Sequence, residues 1–579
     1  MTGGPPIETG ADGIEEGKRL IRLDGDKGLS LAERIANRFH RLTWRTPLHS
    51  FRLRGRFPLK LTAVPDDPIM GDLRRGQALL DGSILWRSER IAVRALDFAT
   101  LAVSPGFEDY LQSFAWLRDL STAATREQGA PVAEAMMRRW LNVHADHVGG
   151  TAWRFDVWGR RILFWAAHAP LILSSGDLIY RSAVLNSLAR GARHLDRGAD
   201  RAPVGIARVS AWAGVVAAGL LIPGGQPRRL FGEDGLTRAL STAFYEDGGS
   251  ICRSPTALLD GIALLTLLRA VYAARRQEVP EAIETVLARA VPALLGVLHG
   301  DGGLTSWQGG LPIEAQRVAT VIEASGVRAR PLRQARDWGY QRLAGGATMV
   351  SVDAAPPPVT RLADGGCAST LAFEMSDGPH RLIVNCGGAR HRGASIPATL
   401  SEGLRTTAAH STLIVGDSNS TAIHADGSLG RGVAEVEIDR QELEGGSRLE
   451  ASHDGYVRRF GFIHRRQLAL SSNGRELQGE DLLLPAARRR RPQASQFAIR
   501  FHLAPGVEVT PTADSLGALL RIGDGPAWQF RCRGGTLGIE ESLWADGLGR
   551  PRPSQQLVVS GQALPGGASI SWLLKRAGQ

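Results

Sequence analysis

DWGYQRLAGGATMVSVDAAPPP, residues 337–358, is where the chain of 579 residues changes character. Upstream, from about residue 72 to 300, apolar residues recur at three- and four-residue spacing, the period of amphipathic and buried helices. EDYLQSFAWLRDLSTAAT, APVAEAMMRRWLNVHADH, GRRILFWAAHAPLIL, DLIYRSAVLNSLARGARHL, RVSAWAGVVAAGLLI, TALLDGIALLTLLRAVYAA and EAIETVLARAVPALLGVLHG each end at Gly, Pro or a polar cluster. Downstream the segments are short and alternate in polarity: RLIVNCGG, HSTLIVGD, GVAEVEID, RRQLALSS, QFAIRFHLA, ALLRIGD, QQLVVSG and SISWLLKR, divided by Gly, Asp and Asn turns. Runs of helices followed by runs of strands predict two successive domains. Stacked helical hairpins come first, then a β-sandwich or layered antiparallel sheets.

The expected boundaries are an irregular extension over 1–70, a helical domain over 71–338 and a β domain over 339–579. One short helix is expected around LSLAERIANRFHRL in the extension. Tyr340 to Pro358 is read as the junction, with three prolines stiffening one side.

A hydrophobic content of 43% with 22% charged residues is ordinary for a globular protein. No run of about 18 uncharged apolar residues predicts a membrane span. The N-terminus lacks the basic start and apolar block of an export signal, so the sequence points to the cytoplasm. The four cysteines form no CxxC pair, which argues against a disulfide framework and fits a reducing compartment.

Of 69 basic residues only Lys18, Lys27, Lys60 and Lys575 are lysines, so the net charge of +11 is carried by arginine. Guanidinium forks pair with carboxylates, phosphates and sulfates. An acidic polymer is the partner this suggests. No recognition motif accompanies the dispersed cations, which excludes a specific nucleic-acid reader. The dense run Arg488 to Arg491 reads as an exposed loop.

In TAAHSTLIV (407–415) residues alternate from Ser411 as in a half-buried strand, which puts His410 at a strand entrance, within reach of a cleft. Together with EDGGSICRSPTALL (246–259), HGDGGLTSWQGG (299–310), RLIVNCGG (381–388) and HDGYVRRFGFIHRRQLAL (453–470), this stretch resembles the heparinase II/III-like proteins, relatives of the alginate-lyase type of polysaccharide lyases. The resemblance covers roughly residues 70–575. It implies an incomplete (α/α) toroid followed by layered antiparallel sheets, with a substrate cleft between them. The implied reaction is β-elimination on a uronic-acid glycan. A donor or cation neutralises the carboxylate, a base takes the adjacent carbon's proton, and an acid protonates the leaving oxygen.

Carried over residue by residue, the resemblance makes His410 the base or its support. Departures are equally specific. Near IARVSAWAGVV (206–216) no Asn or His neutraliser is present and Arg208 is the only cation. Ala257 and Leu258 stand where a catalytic tyrosine is common, and Ser250 where related sequences carry histidine. Candidates to replace the missing groups are Arg253 as a carboxylate fork, Tyr456 as a phenolic proton source, Trp307 as a stacking platform and Asn385 as a donor. Each also has a structural reading: helix-end, sheet, core and turn residue respectively.

The resemblance places the protein in the periplasm or cell envelope as the alternative location. It also raises a structural zinc or calcium, because some relatives hold zinc where Cys367, His380, Cys386, His391 and His410 fall. None of the five has paired ligand spacing, so no cofactor is expected. Two readings of function remain open: a polysaccharide lyase, or a glycan-binding or scaffold protein that keeps the fold without the chemistry. A hydrolase using Asp247 and Asp301 is a third, but each aspartate sits in a DGG turn. The sequence sets no oligomeric state.

Overall fold

The computed structural model describes residues 14, 17–22, 51–358, 365–389, 396–486 and 492–577. The helix expected at 29–42, the arginine run 488–491 and His391 lie outside them.

The helical half is built on inner helices that are apolar nearly all round. Pro255–Ala274 starts after Ser254 with Pro255 in its first turn and ends at Arg275. Leu258, Ile262, Leu265, Leu268 and Val271 are all fully buried. It is long and apolar enough to cross a membrane, yet 67% of its apolar window lies inside the protein, as befits a core helix. Ile206–Leu221 packs beside it and against Phe155–Ala167. The latter crossing is close because Gly159 faces the backbone of Ser210, where a Cβ would lie 1.9 Å from the carbonyl oxygen. Outer helices Leu178–Asp196, Gln226–Ser241 and Glu281–Gly296 complete the hairpins of an incomplete (α/α) toroid. Gln226–Ser241 was not expected from periodicity. The predicted helix over 108–125 is two helices, Pro105–Ser113 and Trp116–Ala123, separated by Phe114 in the left-handed conformation at φ 62°.

Strand β1 is Gly17–Arg22, and β2 (Ser83–Trp86) and β3 (Glu89–Ala92) form a hairpin. The rest lie past the switch in pattern: β4 Tyr340–Gly345, β5 Thr348–Asp353, β6 Phe373–Asp377, β7 His380–Val384, β8 Leu413–Val415, β9 Glu435–Leu443, β10 Gly446–His453 and β11 Phe462–Ser471. They continue as β12 Glu476–Pro485, β13 Ser495–Leu503, β14 Val507–Pro511, β15 Gly517–Ile522, β16 Trp528–Arg533, β17 Thr536–Ala545, β18 Pro551–Ala563 and β19 Ala568–Arg576. One antiparallel sheet runs β1-β9-β10-β11-β12-β19-β16-β15-β14. The other runs β17-β18-β13-β7-β6-β5-β4, with β8 on β13. Strict alternation along β11, buried then half-buried, puts one face of its sheet on the shared core.

Two expectations change. The extension is not wholly irregular, because β1 pairs antiparallel with β9, from Gly17 opposite Arg440 to Arg22 opposite Glu435. The stretch read as a junction contains the β4–β5 hairpin. Its last strand carries Asp353, fully buried, into the contact between the halves.

Candidate functional site

The face that joins the toroid to the sandwich is polar and closed. Arg253, just before helix Pro255–Ala274, adopts φ 56°. That turn sends its guanidinium to Asp353 at 2.5 Å and to the carbonyls of Trp338, Ala355 and Pro356. The other Asp353 oxygen accepts from Gln308 Nε2 at 3.1 Å and Ser369 Oγ at 2.7 Å. A second lock stands beside it. Glu374, in a wholly buried strand, meets His299 Nε2 at 2.7 Å. It also accepts from the Ser306 amide and from both the backbone and side-chain nitrogens of Asn385. Near the rim Arg381 grips Asp301 with two N–H groups. The aspartates and glutamate thus fasten strand to helix.

His410 closes a short helical turn, Thr407–Ala409, three residues before β8 begins at Leu413. Its Nδ1 lies 2.7 Å from the Thr406 carbonyl. A carbonyl only accepts, so Nδ1 carries the proton and Nε2 keeps its lone pair. Burial lowers its pKa, against the pull of Asp353 and Glu374, so the ring is neutral. Its Nε2 forms no hydrogen bond among the described residues, and the side chain is only 1% exposed. Such a ring has the electronic form of a base without an open approach. His502 stands nearby, bonded to Ala408 O through Nε2 and accepting from Ser542 Oγ at 2.8 Å through Nδ1. Burial pushes it down to about 3.

The other candidates are bound into the same fabric. Asn385 spans Glu374 and the Ser411 amide, which its Oδ1 receives at 2.9 Å. Tyr456 donates to the Leu413 carbonyl at 2.8 Å, and burial raises its phenol well above the usual range. Trp307 is fully buried, stacked on Tyr340 with its Nε1 near Ser351 Oγ. Arg208 stands apart from the junction and donates to Ala202 O. The structure therefore gathers His410, Asn385, Arg253 and Trp307 at one interface, with Tyr456 behind β8 and Arg208 elsewhere. Tyr456 and Trp307 make sheet and core contacts, whereas Asn385 bridges two distant segments, Glu374 and Ser411, instead of closing a turn.

Sequence reasoning passed over Asp353, Glu374, His299 and Gln308. The signal for the two carboxylates was an acidic residue flanked by apolar ones in each run, Asp353 in VSVDAAP and Glu374 in LAFEMSD. A second buried chain was also missed: Gly455 N donates to His453 Nδ1, His453 Nε2 faces His464 Nδ1 at 3.2 Å, and His464 Nε2 meets Asp481 at 2.8 Å. Arg466 closes it, bidentate on Asp481 and donating to the Leu371 and Ser411 carbonyls. Among the described residues no three His, Cys, Asp or Glu side chains are grouped to hold a metal. Cys367, Cys386, Cys252 and Cys532 are free thiols and all buried.

A family model described as Heparinase II/III-like, C-terminal, matches residues 327–573. FtsZ-localized protein C of Caulobacter vibrioides is 30% identical over 551 residues, covering 90% of this chain and 91% of that one. Among solved structures, heparinase III superposes with a TM-score of 0.68 at 12% identity, over 96% of this chain and 93% of the other. The heparan sulfate lyase HepC from Pedobacter heparinus gives 0.57 at 14% identity, over 94% and 88%. At those identities the structural likeness establishes the polysaccharide lyase-like fold alone.

Proposed function

The chain belongs to the heparinase II/III-like family, and from that premise we propose that it is a scaffold on a lyase fold, working with FtsZ rather than cleaving a glycan. The observation that carries this reading is the junction itself. Elimination needs a carboxylate neutraliser, a base and an acid around an open approach. Here Arg253, Asn385 and Tyr456 are bound to Asp353, Glu374 and the Leu413 carbonyl, and His410 is enclosed. Releasing any of these groups toward a substrate means breaking a buried bond, which costs about 1–3 kcal/mol, and more for the ion pair. The relative named for its localisation with FtsZ matches nine-tenths of the chain, so both halves are retained together.

One observation favours a second reading, a lyase acting by β-elimination on an acidic polysaccharide or oligosaccharide. The Nδ1–Thr406 bond leaves the His410 lone pair at Nε2 available for a proton. The two readings separate in one experiment. Wild type and His410→Ala are incubated with heparan-type, alginate, hyaluronan and glucuronan substrates while ultraviolet absorbance of the conjugated double bond is followed. Each protein is also sedimented with FtsZ filaments. The scaffold predicts flat traces and equal co-sedimentation of both proteins. An absorbance rise in wild type that the variant lacks establishes the lyase. Failure to sediment with FtsZ overturns the scaffold.

A further inference from the structure

The nine-stranded sheet is completed by a piece of chain from far away in sequence. β9 would otherwise end that sheet with a row of unpaired N–H and C=O groups, an edge open to any strand. β1 covers it from Glu435 to Arg440, and the fit is chemical as well as geometric. Toward solvent, β9 offers Glu435, Glu437 and Asp439, and β1 sets Arg22, Leu20 and Lys18 opposite them. Arg22 Nε lies 3.0 Å from Glu435, and Arg19 reaches Asp337 at 3.8 Å. Toward the core, Ile21 faces Val436 and packs against the buried cluster of the sandwich. The β9 edge therefore selects a basic extended strand with an apolar residue at the position of Ile21.

The occupant is lightly held. Gly17, Lys18, Leu20 and Arg22 are exposed and Arg19 and Ile21 half-buried. Exposed ion pairs of this kind contribute about 0–1 kcal/mol. The backbone ladder, Ile21 and, three residues upstream, the buried Ile14 keep β1 in place, and as a peripheral strand it opens at lower cost than the sheet as a whole. Twenty-eight residues, 23–50, lie between β1 and Phe51 in the chain. Every contact that β1 makes on its own β9 it can make identically on another copy, and the two arrangements then differ only in effective concentration.

We propose that the β9 edge is an exchange seam between copies of this chain: the basic β1 strand of one molecule docks on the acidic β9 edge of a second. The inference is independent of the reading of function above. At low concentration the chain's own strand fills the seam. As the protein becomes crowded toward the effective concentration of its own strand, on the order of 1 mM, strands exchange.

The register supplies the test, because Leu20 lies opposite Glu437 and both are exposed. Full-length Leu20→Cys and Glu437→Cys proteins are mixed, treated with a short bis-maleimide and run on a denaturing gel. The native thiols are buried. Exchange predicts a product of twice the chain mass, formed in proportion to concentration and reaching roughly tens of per cent near 1 mM. The double variant on one chain should cross-link within itself when dilute. A double variant that closes efficiently beside a mixture that stays monomeric at the highest concentration overturns the seam. A double variant that does not close at all refutes the β1–β9 pairing on which it rests.

Discussion

Two buried arginines separate the halves of this molecule. Arg161, inside the toroid, lies 4.3 Å over the ring of Trp140 and 4.3 Å over that of Trp158, and gives two N–H groups to the Gln112 carbonyl. It forms no ion pair among the described residues. Arg466, inside the sandwich, holds Asp481 in a two-toothed grip that also anchors His464 and Trp572. At Arg161 the toroid satisfies a buried cation with aromatic faces, which do not titrate, while Arg118 in the same half pairs with Asp67 at 2.7 Å. The sandwich and the junction satisfy theirs with carboxylates and neutral imidazoles, which do. The two halves share an interface and differ in how many imidazoles burial holds neutral among the described residues: five in the junction and sandwich, against His144 in the toroid.

The largest expected effect follows from that contrast. His299, His410, His453, His464 and His502 all have pKa values lowered by burial. In the unfolded chain they titrate near 6.5, so below that pH the unfolded state binds more protons and stability is lost as pH falls. Each contributes up to about 1.4 kcal/mol per pH unit, so the strand half should lose several kcal/mol between pH 6.5 and 5. Hydrogen exchange checks it: amides of β10, β11 and β12 should lose protection before those of Pro255–Ala274. Earlier loss in the helix breaks the comparison.

Cutting the fastening between the halves comes next. Asp353→Ala leaves Arg253 buried without its carboxylate and should cost about 3–5 kcal/mol. Calorimetry should then show the strand half melting ahead of the toroid. A single unsplit transition means that the apolar contact alone couples them. The smallest effect is expected inside the toroid. Arg161→Met keeps an apolar contact with the tryptophans and leaves the Gln112 carbonyl short of donors, a loss of about 1–3 kcal/mol. The dependence of stability on pH should change only through His144, which burial and the Arg161 charge hold down to about 4 and which should rise toward its ordinary value in the variant.

The order of helices and strands was legible because period and turn chemistry are local. TALLDGIALLTLLRAVYAA repeats its apolar face often enough to exclude a strand, and RRQLALSS alternates too strictly for a helix. Phe114 shows where that legibility fails: a left-handed turn at a phenylalanine is forced by packing, and periodicity runs straight through it. Strand β1 shows the same limit at longer range. GKRLIR carries no strong strand signal of its own, and it becomes one because the acidic β9 edge lies across from it. At the candidate site, His410 was found from its place before an apolar strand, while Glu374 and Asp353 were overlooked among the buried residues around them.

By itself the sequence determined the two-part architecture, the arginine-borne charge and the set of chemically able residues, since each of these is written in residue type and local spacing. Only the tertiary structure decided what those residues do. Whether Arg253 faces a substrate or Asp353, and whether Asn385 donates outward or to Glu374, depends on which groups distant segments bring within 3 Å. A buried charge must find a partner, and the fold chose partners inside the protein.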